Sequence, residues 1–175
     1  AALENLDRRD CEVVCYGDRV LPDDLTARFQ TLSTAWRNAF VMTDQQLADR
    51  IREDRIDILF DLAGHTPKNR LLVFARKPAP IQITWIGYEG TTGLKAMDYI
   101  LADRYEIPPE AEPYYTERVL RMPEGYLCYD PPSYAPSVGP LPALASDYTP
   151  RESNTPGEPN TTPLSPCGRG VGGEG

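Results

Sequence analysis

The chain has 175 residues, enough for one domain of ordinary size and too few for two full ones. Its formal net charge of -8, with no basic cluster, excludes a nucleic-acid backbone or an anionic membrane surface as the main partner, since both are gripped through Lys and Arg. The longest apolar runs, around residues 56–62 and 81–87, are far too short to cross a bilayer, and no charged-then-apolar leader opens the chain, so the cytoplasm is the expected location.

Residues 12–16 read as a short buried strand. Pro22, Asp23 and Asp24 open a helix, because Pro fits a first turn and the acidic pair suits the N-terminal dipole; Leu25, Phe29 and Leu32 recur along it at helical spacing. Thr43-Asp-Gln-Gln46 has the form of a capping box, and Leu47 and Ile51 then fall on one face of a helix running to about Asp54. Residues 56–62 are too apolar for a half-exposed strand and read as one buried on both faces of a parallel sheet. After a turn at residues 64–67, a short helix is expected over residues 69–76, stopped by Pro78 and Pro80. Strands are expected at residues 81–86, 98–103 and 118–122, with a helical stretch around residues 113–117. Strands alternating with helices define an α/β fold built on a Rossmann-like parallel sheet flanked by helices.

Residues 1–133 form the expected domain. From residue 134 onward Pro, Gly, Ser and Thr replace the apolar pattern, and from about residue 146 the composition is that of a disordered tail. Four cysteines (Cys11, Cys15, Cys128 and Cys167) with a single histidine make no metal-binding spacing, so no metal is expected and the thiols read as buried and free.

In a doubly wound sheet, ligands bind beyond the carboxyl ends of the strands. That rule selects the loops at residues 63–67 and 87–93 and the turn after Asp103, which should share one rim. His65 fits a functional and a structural role equally there: a hydrogen-bond partner for a ligand hydroxyl or a general acid/base, or else a turn residue bonded to a neighbouring carbonyl. Asp61 is placed either to act as a carboxylate partner or to cap the following turn. The segment Gly87-Tyr-Glu-Gly-Thr-Thr-Gly93 matches neither dinucleotide nor P-loop spacing and reads on its own as a tight turn. Lys68 and Arg70 could offset phosphate charge but read first as a solvated helix start, and the tyrosines at 126, 129 and 134 could stack on a ligand but read first as packing where the chain leaves the domain.

Taken in order, the motifs form a pattern. Asp57-Ile-Leu-Phe-Asp-Leu-Ala-Gly-His-Thr66, Asn69-Arg70, Phe74-Ala-Arg-Lys-Pro-Ala-Pro-Ile-Gln-Ile-Thr-Trp-Ile-Gly-Tyr88, Gly90-Thr-Thr-Gly93, Met97-Asp-Tyr99, Arg121-Met-Pro123 and Leu127-Cys-Tyr-Asp-Pro-Pro132 resemble the catalytic region of glycosyltransferase family 41. This is the O-linked N-acetylglucosamine transferase and SPINDLY-like group, and the resemblance covers about residues 10–145. It implies one lobe of a two-lobed GT-B enzyme that transfers N-acetylglucosamine, with inversion, from UDP-N-acetylglucosamine to Ser or Thr of an acceptor protein. It further implies a partner second lobe, a tetratricopeptide-repeat array, and no cofactor or metal beyond the donor substrate. His65, Thr66, Ile86 and Gly87 match the family's donor-sugar pocket motifs, with Tyr88, Thr91 and Asp61 as further candidates; Glu89 stands where the family has Pro. The family's Asp-Phe-x-x-His-Pro segment and the lysine that holds UDP do not occur in these residues, so no catalytic residue is assigned and the isolated chain is expected to be inactive. The alternative is a non-enzymatic α/β module that binds a partner through the face that the absence of the second lobe would expose.

Overall fold

The computed structural model describes residues 2–19, 21–129, 131, 134–137 and 139. It divides into two units, Ala1–Ser133 and Tyr134–Gly175, and every described strand and helix belongs to the first. The expected tail beyond residue 146, with Cys167, lies outside the described residues.

Among the described residues, six strands and three helices follow a short 3-10 turn at Ala2–Asn5: β1 (Val14–Gly17), α1 (Asp24–Leu32), β2 (Ala35–Asn38), α2 (Asp44–Glu53), β3 (Ile58–Asp61), α3 (Leu71–Phe74), β4 (Ile81–Thr84), β5 (Tyr99–Ala102) and β6 (Arg118–Arg121). A second 3-10 turn spans Pro109–Tyr114, upstream of the helical stretch expected at 113–117, where Pro113 lacks the N–H to continue an α-helix. Every strand pair is parallel, β1 with β2 in one sheet and β3-β4-β5-β6 in the other. β2 is an addition to the expected strands, because Ala35-Trp-Arg-Asn38 has neither an apolar run nor an alternating one; pairing with β1 makes it a strand.

Local chemistry sets the helix ends. Asp23 accepts the Thr26 amide to cap α1, and Thr43 and Gln46 form the reciprocal capping box of α2. At the other end of α2, Arg55 has φ +54 and its amide bonds to Arg52 O, while the Ile56 amide reaches Ile51 O. That pair of bonds is a Schellman motif.

The core lies on one side of the larger sheet. Leu47, Ala48 and Ile51 of α2 pack with Leu71, Val73 and Phe74 of α3 against Leu59, while Ile100, Ala102 and Val119 pack against Ile107, Ala111 and Tyr115. Gln82, fully buried in the central strand, donates from Nε2 to Phe74 O and Ala96 O and so ties α3 and the β4–β5 loop down. The opposite face is open: Ile58 is 49% exposed, Phe60 46% and Ile81 38%, whereas Leu59 and Asp61 are buried. This corrects the expectation of a strand buried on both faces. Right-handed crossovers in the sequential order β3-β4-β5-β6 place all three connections on the same side; the other side is open along β3 and at Ile81, while Ile83 on that same face is buried. The apolar stripe of α1 is likewise uncovered at Leu25 and Phe29.

Candidate functional site

Because the strands are parallel and in register, Asp61, Thr84 and Ala102 end β3, β4 and β5 at one rim, and the three loops selected from the sequence leave from it. Two of them interlock. A methyl group built on Gly64, whose φ is +53, would stand 2.3 Å from Tyr88 Cβ; one built on Gly87 would stand 2.1 Å from Leu62 O. Only glycine allows the turns to close to this distance.

Between them Ile86 has φ +67, and the Gly87 amide bonds to Trp85 O two residues back at 2.8 Å. A β-branched residue at the centre of a γ-turn with positive φ is strained by about 1–3 kcal/mol. Its neighbours hold it there. The Trp85 amide donates to Asp61 O, and the Trp85 indole Nε1 donates to Tyr126 O at 2.8 Å, roping in the chain that leaves β6.

His65 is exposed at the rim, its ring edge-on to Tyr88 with centroids 5.3 Å apart and its Nε2 3.1 Å from Thr92 O. Thr66 is half-buried, and its hydroxyl donates to Ala63 O. Asp61 is buried, taking the amides of Ala63 and Gly64 and the hydroxyl of Thr84 on its carboxylate. Of its two roles, capping the turn is the one realised. Thr91 donates to Glu117 Oε2 and accepts from the amides of Gly93 and Thr116, so it braces the loop. Asp103 caps its own turn, receiving the amides of Tyr105, Glu106 and Tyr126. The Glu106 amide first among these donors holds the Asp103 carboxyl below its ordinary range.

A small recess at this rim is lined by Trp85, Ile86, Tyr88, Ala102, Glu106 and Tyr126. Its field is negative: burial first, then the charges of Glu89 and Asp103, push the Glu106 carboxyl up. The nearby Arg104 guanidinium stacks on the Tyr105 ring. Arg70 is not part of the rim and not solvated as expected. It is half-buried, donating to Ala39 O and Met42 O and facing Asp18 and Asp44, which pins the start of α3 to the turns around β2. The thiols are corrected as well among the described residues: Cys11 and Cys128 are exposed, and Cys15 is half-buried, where burial raises its pKa.

The glycosyl transferase family 41 model matches residues 3–136. The chain belongs to that family. It is 40% identical over 152 residues to a probable UDP-N-acetylglucosamine–peptide N-acetylglucosaminyltransferase SPINDLY of Hordeum vulgare, a match that covers 85% of this chain and 16% of the relative. It is 32% identical over 126 residues to the SEC protein of Arabidopsis thaliana, which carries the same enzyme description, covering 70% and 13%. Among solved structures, a mutant O-GlcNAc transferase of Thermobaculum terrenum superposes with a TM-score of 0.75 at 43% identity, covering 79% of this chain and 26% of that one. The chain thus spans about a sixth of the length of the plant SPINDLY proteins it matches.

Within this family 41 chain, Thr92 lies in the Gly90-Thr-Thr-Gly93 motif without a role of its own there, and no motif singles out Glu117. Glu117 is buried just before β6 and accepts the Thr92 amide at 2.8 Å and the hydroxyls of Thr91 and Thr92. Twenty-five residues separate it from Thr92 and no spacing rule joins them. The one available signal is a lone acidic residue entering a strand whose partner loop is rich in hydroxyls. Among the described residues no helix is long and apolar enough to cross a membrane, and no three His, Cys, Asp or Glu side chains gather closely enough to hold a metal ion.

Proposed function

We propose that this chain is one lobe of an inverting glycosyltransferase that moves N-acetylglucosamine from UDP-N-acetylglucosamine to Ser or Thr of an acceptor protein, without a metal. In this reading residues 1–133 are the folded lobe, and its rim, with His65, Thr66, Ile86 and Gly87, forms one wall of the donor-sugar pocket. Tyr88 completes the wall, while Thr91 and Asp61 shape it from behind. The carrying observation is the interlock of the two turns around a strained Ile86, which is the kind of over-determined backbone that accumulates at binding sites. The enzyme names of the plant relatives supply the substrates.

The same reading makes the isolated chain inactive. A leaving diphosphate needs positive charge and convergent amides, and the recess at this rim is lined by Glu89 and Glu106 instead, with the Asp103 charge near enough to raise the Glu106 carboxyl further. Titration calorimetry with UDP-N-acetylglucosamine should give no heat; a dissociation constant near or below about 1 μM would refute the lobe's dependence on a second one. Amide spectra titrated with N-acetylglucosamine to roughly 100 mM, far above a millimolar constant, should move His65, Thr66, Ile86 and Gly87 first. Shifts confined to another part of the molecule would sink the pocket assignment.

A second reading is favoured by the exposed face at Ile58, Phe60, Leu62 and Ile81: a module that binds a protein partner there. Light scattering separates the two, since a clean monomer at high concentration argues against an adhesive face.

A further inference from the structure

We propose that Glu117, acting through Thr92, is a positioning residue that fixes His65 as its Nε2–H tautomer and leaves Nδ1 as the hydrogen-bond acceptor offered at the rim. Glu117 takes the Thr92 amide at 2.8 Å and the Thr92 hydroxyl on one carboxylate oxygen, and the Thr91 hydroxyl at 2.7 Å on the other. These three donors fix the peptide of Thr92, whose carbonyl oxygen is 3.1 Å from His65 Nε2. A carbonyl has no proton to give, so the shared proton belongs to Nε2. A neutral imidazole carries one N–H, and Nδ1 therefore keeps its lone pair. Nδ1 has no hydrogen-bond partner among the described residues, and His65 is exposed.

Burial pushes the Glu117 carboxyl up, but the Thr92 and Thr91 hydroxyls and the Thr92 amide outweigh it and hold the carboxyl below its ordinary range, so the brace is ionised at neutral pH. The consequence for binding comes from donor and acceptor counting. With Nδ1 unprotonated, His65 receives a hydroxyl proton and does not donate one, so it selects a ligand hydroxyl over a carbonyl or a phosphate oxygen. The identity of that hydroxyl as a sugar's rests on the donor-pocket reading above; the tautomer does not.

The chain has one histidine, so its ring resonances carry no assignment ambiguity. Long-range proton–nitrogen spectra of the full 175-residue chain, without sugar, should show protonated Nε2, unprotonated Nδ1, and an Nε2 proton in close contact with Thr92. A protonated Nδ1, or an Nε2 proton that exchanges as in a free imidazole, overturns the proposal. Glu117→Ala should speed exchange of that proton by about tenfold, the factor expected for losing one ordinary hydrogen bond, and populate the other tautomer. Glu117→Gln, whose amide oxygen still accepts from Thr92, should restore the wild-type spectrum. If Glu117→Ala does not fold, Thr92→Val tests the same link while retaining the backbone amide on Glu117, and an unchanged His65 exchange rate in that variant counts against the brace. Added N-acetylglucosamine should then move Nδ1 more than Nε2. An Nε2–H tautomer with no response to sugar leaves the brace standing and rejects the donor pocket instead.

Discussion

Replacing Gly87 by alanine tests the interlock of the two rim turns directly. The added methyl would stand 2.1 Å from Leu62 O, 2.6 Å from Leu62 C and 2.8 Å from Ala63 Cα, all main-chain atoms of the turn it crosses. None can swing aside as a side chain would, so one of the two turns must move. Overpacking of this kind costs about 1–3 kcal/mol, and a backbone obstacle places this case at the upper end, less a few tenths regained by stiffening the unfolded chain. For a folded unit of this size each kcal/mol is worth about 3–5 °C, so the melting temperature should fall by about 10 °C. Gly93→Ala is the control: its φ of +70 is strained for alanine, but nothing lies within 4 Å. It should cost about 1 kcal/mol, and its amide spectrum should be undisturbed at His65. Thermal melts and urea titrations read both. A Gly87→Ala protein that melts within about 3 °C of the parent, or no lower than Gly93→Ala, would show that the turns are not locked together.

Three other perturbations probe the rest of the fold. Arg55→Gly should stabilise the chain by about 1 kcal/mol, because Arg55 closes α2 at φ +54 with an exposed side chain; a lower urea midpoint would contradict the cap assignment. Burial opposes ionisation of Asp54, but hydrogen bonds from Arg37, Tyr16 and Arg50 prevail and lower its pKa to about 2. Its folded pKa is thus below the unfolded value near 4, so its contribution, about 2 kcal/mol, is complete above pH 4 and lost as pH falls from about 4 to 2; Asp54→Asn should flatten the stability profile across that window, and an unaltered acid limb would refute the network. Phe60→Lys, on the open face at 46% exposure, should leave the fold intact and reduce any concentration-dependent association, as sedimentation would record.

What the sequence discloses depends on which interactions are local. The capping box of α2, the proline stops after α3 and the apolar runs of β3 and β4 are written within a few consecutive residues, and each lies close to its expected place. The convergence of His65, Gly87 and Asp103 on one rim is also legible, since parallel strands send their C-terminal loops to the same edge whatever their side chains do. β2, the partners of Arg70 and the Glu117–Thr92 link are different. Each is defined by a residue far along the chain, and nothing in Ala35-Trp-Arg-Asn38 or in a lone Glu117 announces the other half. The open sheet face departs from expectation for a related reason: an apolar run records that a strand can be buried twice, while the cover is supplied by other segments.

The rim also shows why its residues resist assignment by loss of activity alone. Gly64 and Gly87 are where two turns pass through each other, and Ile86 holds a φ of +67 only because Trp85 is tied to Asp61 and Tyr126 on one side and Gly87 is wedged against Leu62 on the other. A substitution at any of these positions releases strain and reshapes the rim at once, so a lost ligand response would not tell binding from folding. Thr92 and Glu117 are the informative handles, because they reach His65 through the Thr92 carbonyl and stand outside the interlocked turns. A variant there that changes the state of one imidazole while the turns stay locked separates the chemistry of the wall from its architecture.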